Sequence, residues 1–152
     1  MALKRAAKPR WRHYQHSVLC ALALATGSAW GESLTINLAN VASSKGNVMV
    51  RVFADPDAFP MKPEQQLISQ IVPADKGEMQ ISFRALAPGT YAVAVAHDEN
   101  GNGELDFNFI GIPKEPYGFS NNAKGTMGPP KFSKAQFAHG NAPTEISITM
   151  KN

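Results

Sequence analysis

The chain has 152 residues, with 15 Lys+Arg against 12 Asp+Glu and a formal net charge of +3. Its single cysteine, Cys20, excludes a disulfide framework and any cluster of thiolate metal ligands. The positive balance does not mark a nucleic-acid binder. Five basic residues crowd the N-terminus, while every acidic residue lies at Glu32 or later.

Lys4, Arg5, Lys8, Arg10 and Arg12 precede an apolar run from Ser17 to Thr26, and the small residues Gly27, Ala29 and Gly31 follow. A basic start, an apolar stretch of about ten residues and small residues near a cut form the pattern of a secretory signal peptide. The run is too short to span a bilayer, which takes about 20 apolar residues. Cys20 lies inside the run and follows Leu19, which is not the small residue that lipidation needs. The expectation is a signal peptide over residues 1–31, a single domain over 32–152, and an exported protein, periplasmic or extracellular. Without the basic start, 10 basic residues face 12 acidic ones, a net of −2. No Lys/Arg cluster is left to neutralise phosphates, so nucleic acid is not an expected partner. No membrane span is expected in the mature chain either. A domain of about 120 residues has room for a core without staples.

Apolar and other residues then alternate in five segments. These are Leu34-Ile36-Leu38, Val48-Val50-Val52, Ile81-Phe83, Tyr91-Val93-Val95 and Ile146-Ile148-Met150. Period two marks half-buried strands. Their shared phase places Val50, Val93 and Ile148 in the core of facing sheets. Gln66–Val72 and Lys134–Ala138 are weaker strand candidates, and Pro63–Ser69 holds a possible short helical turn. Ser43-Ser44-Lys45-Gly46 joins the first two strands. Pro88-Gly89 suits a type II turn, with Gly where φ is positive. The expected fold is all-β: a small antiparallel two-sheet β-sandwich, immunoglobulin-like or transthyretin-like, with one long ordered loop. That loop runs from Asp98 to Ser133 without alternation. Phe107, Phe109, Ile110, Ile112, Tyr117, Phe119 and Phe132 make it too apolar to stay solvated, so it is expected to fold back over one end of the sandwich.

Within the loop, Asp98, Asn100 and Asn102 stand at the first, third and fifth places of the calcium-loop pattern D-x-[DN]-x-[DN]-G, and Gly103 at the sixth. Glu104 offers a backbone carbonyl at the seventh place, and Asp106 stands at the ninth. Calcium takes six to eight oxygens at about 2.3–2.6 Å, which short oxygen-bearing side chains on a tight turn supply. Phe109 replaces the bidentate Glu of the twelfth place, and a strand enters the loop where a helix is usual. The expected site is therefore a sandwich-loop variant for Ca2+ at Asp98, Asn100, Asn102, Glu104 and Asp106, with Asp106 as the bidentate carboxylate. The alternative is a polar turn rich in Asp, Asn and Gly.

Pro88 to Ala92, His97 to Asp106, Gly111 to Pro113, Tyr117 to Asn122 and Pro129 to Phe132 form a motif string. It resembles the bacterial exported family catalogued as domain of unknown function 2141, over essentially the whole mature chain. The resemblance implies a small exported β-sandwich and does not imply an activity. At the level of fold alone, the Pro-Gly-x-Tyr entry to a strand is similar to transthyretin-like and carboxypeptidase-regulatory-like sandwiches.

Enzymatic and carrier readings draw on His97, His139 and Tyr117. Two Tyr and two His suit iron in intradiol dioxygenases, but no close pair of histidines is present and Tyr91 falls in the core phase of its strand. Copper on His97, His139 and Met127 is chemically allowed, without a Met/His cluster to support it. No nucleophile elbow appears, and Ser120 has no base in the sequence around it. The plainer expectation has His97 bonded into the loop beside Asp98 and His139 at the surface near Gly140-Asn141. Tyr117, Phe119, Ser120, Asn121 and Asn122 offer a surface to a ligand or to an envelope protein, peptide or glycan. Alternatively they close the loop as a lid on the core, with Asn121 and Asn122 capping turns. The combined expectation is a non-enzymatic exported module, stabilised by calcium. The alternative is an envelope metal carrier or enzyme.

Overall fold

Successive side chains of an extended chain point to opposite faces, so Leu34, Ile36 and Leu38 must share a side. In the structure, a computed structural model that describes residues 31–151, all three are buried. The expected signal peptide lies, but for Gly31, outside the described residues. Eight strands follow in chain order: β1 (Glu32–Val41), β2 (Asn47–Phe53), β3 (Ile68–Pro73), β4 (Gly77–Leu86), β5 (Gly89–Asp98), β6 (Tyr117–Phe119), β7 (Phe137–His139) and β8 (Thr144–Thr149). One helical turn, α1 (Phe132–Ala135), precedes β7. All five alternating segments are strands. Of the weaker candidates, Gln66–Val72 shifts to β3 behind a 3-10 turn at Pro63–Gln65, and Lys134–Ala138 divides between α1 and β7. The three-residue β6 interrupts the long loop and is too short to show a period.

Two sheets face each other, one ordered β4-β1-β8 and the other β3-β2-β5-β6, with β7 also on β5. The small all-β sandwich is therefore as expected, with one departure. β8 runs parallel to β1, with Leu34 opposite Thr144 and Leu38 opposite Ile148. β8 arrives from the other sheet by way of β7, and no tight hairpin forces the antiparallel sense on it. Val50, Val93 and Ile148 are each fully buried, where the two sheets meet.

β2 and β5 are buried on both faces. Their outer face carries a second apolar cluster of Phe53, Ala58, Phe59, Ala92, Ala123, Phe132 and Ala135. Phe59 lies at its centre, with the rings of Phe53, Phe119 and Phe132 edge-on to it at 5.5, 5.7 and 5.9 Å. The long excursion thus returns along the outer face of a sheet, rather than folding only over one end of the sandwich.

The Pro88-Gly89 pair does not make the expected type II turn, which needs a positive φ at its glycine. Gly89 has none and instead opens β5, while the left-handed residue nearby is Ala85, at φ 60. Gly89 is small for a different reason. A Cβ there would stand 2.9 Å from the Tyr91 hydroxyl oxygen, which donates to the Ala87 carbonyl at 2.8 Å.

Two outcomes follow for stability. Val50→Ala and Val93→Ala should each cost about 1–3 kcal/mol, and Ile148→Ala about 2–5 kcal/mol, in urea melts. Gly89→Ala should cost about 1–3 kcal/mol by crowding Tyr91, and much less in a Tyr91→Leu background. Additive losses in the double variant would show that the two residues do not meet.

Candidate functional site

β5 ends at Asp98, whose carboxylate is buried and organises the turn that follows. Its Oδ1 accepts the N–H of Gly101 at 2.7 Å and of Asn102 at 3.1 Å, and its Oδ2 accepts that of Gly103 at 2.7 Å. Three consecutive backbone N–H groups therefore converge on one side chain. Gly103 holds φ 82, a conformation that favours glycine. Asn100 and Asn102 each fold onto the backbone two residues ahead: Asn100 Oδ1 accepts Asn102 N–H at 2.9 Å, and Asn102 Oδ1 accepts Glu104 N–H at 2.8 Å. Their amide nitrogens then donate to Asp106, Asn100 Nδ2 to Oδ2 at 2.6 Å and Asn102 Nδ2 to Oδ1 at 3.1 Å. Asp98, Asn100, Asn102 and Asp106 thus gather around one tight turn, while Glu104 is exposed.

Carboxylates and carboxamides are side-chain types that calcium takes, but here the Asn oxygens face the backbone and the Asn nitrogens face Asp106. Both oxygens of Asp106 accept Asn side-chain N–H groups, which a cation bound there would displace. Each Asn Oδ1 accepts one N–H and keeps a second lone pair. Among the described residues, no three His, Cys, Asp or Glu side chains gather as a metal-holding group.

Glu115 completes the loop, and sequence reasoning missed it. It is buried, and its Oε1 accepts Glu99 N–H at 3.0 Å while its Oε2 accepts Asp106 N–H at 3.1 Å. One carboxylate therefore ties the two ends of the 98–106 segment together. Nothing in Lys114-Glu115-Pro116 marks it, because its partners lie nine and sixteen residues away.

The histidines are far apart. His97 sits opposite Val48 and His139 opposite Gly89, at the two ends of β5. Eight residues of strand separate them, about 26 Å at ~3.3 Å per residue. His97 is buried and reaches not the 98–106 loop but the β1–β2 turn, with Nε2 2.8 Å from the Lys45 carbonyl. His139 is not the expected surface residue. It is buried beside Tyr91, with Nδ1 2.7 Å from Thr144 Oγ1 and Nε2 3.0 Å from the Leu86 carbonyl. Joining β7 to β5 draws it inward. Tyr117 pairs with Ala96, at the His97 end. Two clefts, one of about 420 Å³ around Phe59 and Pro129 and one of about 340 Å³ around Leu67 and Tyr91, are lined by none of His97, His139 and Tyr117.

The Tyr117–Asn122 segment closes the structure. Ser120 is fully buried; its Oγ accepts Val93 N–H at 2.8 Å and donates to the Ala135 carbonyl at 2.6 Å. Asn121 Nδ2 donates to the Gln136 carbonyl at 2.8 Å, and Asn122 Oδ1 accepts Thr149 N–H at 2.8 Å. Tyr117 and Phe119 are half-buried with their rings 5.7 Å apart. These side chains join β5, α1 and β8.

Ser120→Ala leaves a buried N–H and a buried carbonyl unpaired and should cost about 1–3 kcal/mol in chemical melts. Glu115→Gln replaces one acceptor oxygen with a donor. Hydrogen exchange at the Glu99 and Asp106 amides should accelerate, while the Val93 and Val95 amides of the core stay protected. Unchanged exchange at both loop amides would remove Glu115 as the clamp.

No curated protein and no solved structure matches the chain. Residues 36–147 match the family described as an uncharacterized protein conserved in bacteria, DUF2141. That span begins within β1, ends within β8 and contains the whole Asp98–Asp106 loop with its Glu115 clamp, so the chain belongs to the DUF2141 family of bacterial proteins.

Proposed function

We propose that the protein is an exported, non-enzymatic β-sandwich module of the cell envelope, with calcium bound in the 98–106 loop as a stabilising ion. The observation that carries this reading is the convergence of Asp98, Asn100, Asn102 and Asp106 around Gly103. Calcium would draw together two carboxylates that the loop now holds only through N–H donors. Its partner would be an envelope protein, peptide or glycan. The Tyr91 hydroxyl folded back onto the Ala87 carbonyl supports the immunoglobulin-like reading of the sandwich. No helix among the described residues is long and apolar enough to cross a membrane.

The loop offers two charged ligands and lacks the carboxylate of the twelfth place, so binding should be weak, with Kd about 10⁻⁴–10⁻³ M. An ion that binds only the folded state stabilises it by about 1.4 kcal/mol at tenfold excess over Kd. Thermal melts in chelator, calcium and magnesium should show a rise in midpoint with calcium, and less with magnesium, which holds its waters. Asp106→Asn should lose that rise while still folding, because Asp106 meets mainly side-chain amides; Asp98→Asn also disturbs the turn itself. Equal midpoints in chelator and in calcium at about ten times the weakest Kd expected would leave the loop as a polar turn. For export, the N-terminus of the mature protein should fall between Trp30 and Ser33 on sequencing. An envelope-fraction protein still beginning at Met1 would overturn it.

A further inference from the structure

Between Asp106 and Lys114 the chain makes a tight hairpin, Phe107 to Pro113, whose ends pair as a bridge. Its large side chains turn outward: Phe109 is 99% exposed, Ile110 63%, Ile112 54% and Phe107 46%. None belongs to either apolar cluster of the fold. Apolar surface is offered by the turn and by both of its arms. No charged residue interrupts it, and the charges resume at the base with Asp106 and Lys114.

The N–H groups of Asn108, Ile110, Gly111 and Ile112 are satisfied within the hairpin. Asn108 N–H donates to the Ile112 carbonyl at 2.8 Å, and Gly111 N–H to the Asn108 carbonyl at 3.0 Å. Asn108 Oδ1 accepts Ile110 N–H at 3.0 Å and Ile112 N–H at 2.9 Å. The one polar side chain of the turn is thus spent on its own backbone. In water that closure brings little, since water satisfies exposed N–H groups. In an apolar phase a free N–H is costly, and these four closures lower the cost of entry.

We propose that the 107–112 hairpin is a lipid-inserting tip, which docks the sandwich on a membrane surface without spanning it. The occupant is the interface between headgroups and acyl chains, where apolar side chains of surface-bound proteins bury about 5–10 Å deep. A fluid apolar phase covers the turn and both arms at once, which a flat protein face does not. Strand addition by a protein partner would need a row of free N–H groups, and those of Asn108, Ile110, Gly111 and Ile112 are taken within the turn. Insertion by apolar burial needs neither a charged headgroup nor calcium, so the inference stands apart from the calcium reading.

The test mixes the purified protein with phosphatidylcholine vesicles in chelator and floats them on a density gradient. The protein should rise with the vesicles. Fluorescence of Phe109→Trp should be quenched by brominated acyl chains beyond the quenching of the wild type. Phe109→Ser with Ile110→Ser should lower partitioning by about tenfold or more, at an unchanged melting midpoint, because neither side chain packs in the fold. Failure to float would overturn the proposal. So would equal flotation of the double variant, or a wild-type dimer that does not float and that the double variant breaks; that last result would make the tip a contact between two copies of the chain. A calcium-dependent melt without flotation would leave the calcium reading intact and end this one.

Discussion

The structure depends on how the second edge of β5 is satisfied. On one side β5 pairs along its length with β2, from Asn47 opposite Asp98 to Phe53 opposite Ala92. On the other side no single strand matches it. β7 serves Gly89 to Tyr91, the Ser120 hydroxyl serves Val93, β6 serves Ala94 to Ala96, and the Pro116 carbonyl serves His97. Buried backbone groups must find partners, and here several separate pieces of chain supply them. Ser120 holds the junction, since it stands where neither short strand reaches.

That piecewise edge explains why the chain between β5 and β8 is long yet ordered. It must leave β5, bring β6 back beside it, cover the outer face with Phe119 and Phe132, and pass through β7 before crossing to the other sheet. The outer face of β5 carries Ala92, Ala94 and Ala96, small residues that leave room for the Phe53, Phe59, Phe119 and Phe132 rings. A strand covered on both faces loses the freedom to expose either, so the excursion is bound to the sheet. Its two free turns project where the backbone departs and returns. One is the Asp98 loop, held by carboxylates; the other is the apolar hairpin, held by Asn108.

The two carboxylates at the base of this region act alike. Asp98 gathers N–H groups from three residues that follow it closely, and Glu115 gathers two from residues well before it. The first is a local arrangement and leaves a readable spacing of Asp, Asn and Gly. The second joins distant points and leaves no spacing to read. His139 makes the same point. Its sequence neighbourhood, Gly140-Asn141, is that of a surface turn, but the β7–β5 pairing carries it to the core beside Tyr91.

The sequence by itself determined the strands and their inward faces, because side-chain alternation is a property of each segment alone: Leu34-Ile36-Leu38, Val48-Val50-Val52 and Tyr91-Val93-Val95 are buried in the expected phase. It determined the gathering of Asp98, Asn100, Asn102 and Asp106 for the same reason, since those contacts close within nine residues. Only the tertiary structure decided that β8 runs parallel to β1, that Gly89 makes way for Tyr91, and that β6 exists at all. It alone placed Ser120 against Val93, Glu115 across the loop ends, and His97 and His139 at opposite ends of one strand. Each of these is fixed by a partner far along the chain, and a single side chain carries no periodic trace of a partner it meets only after folding.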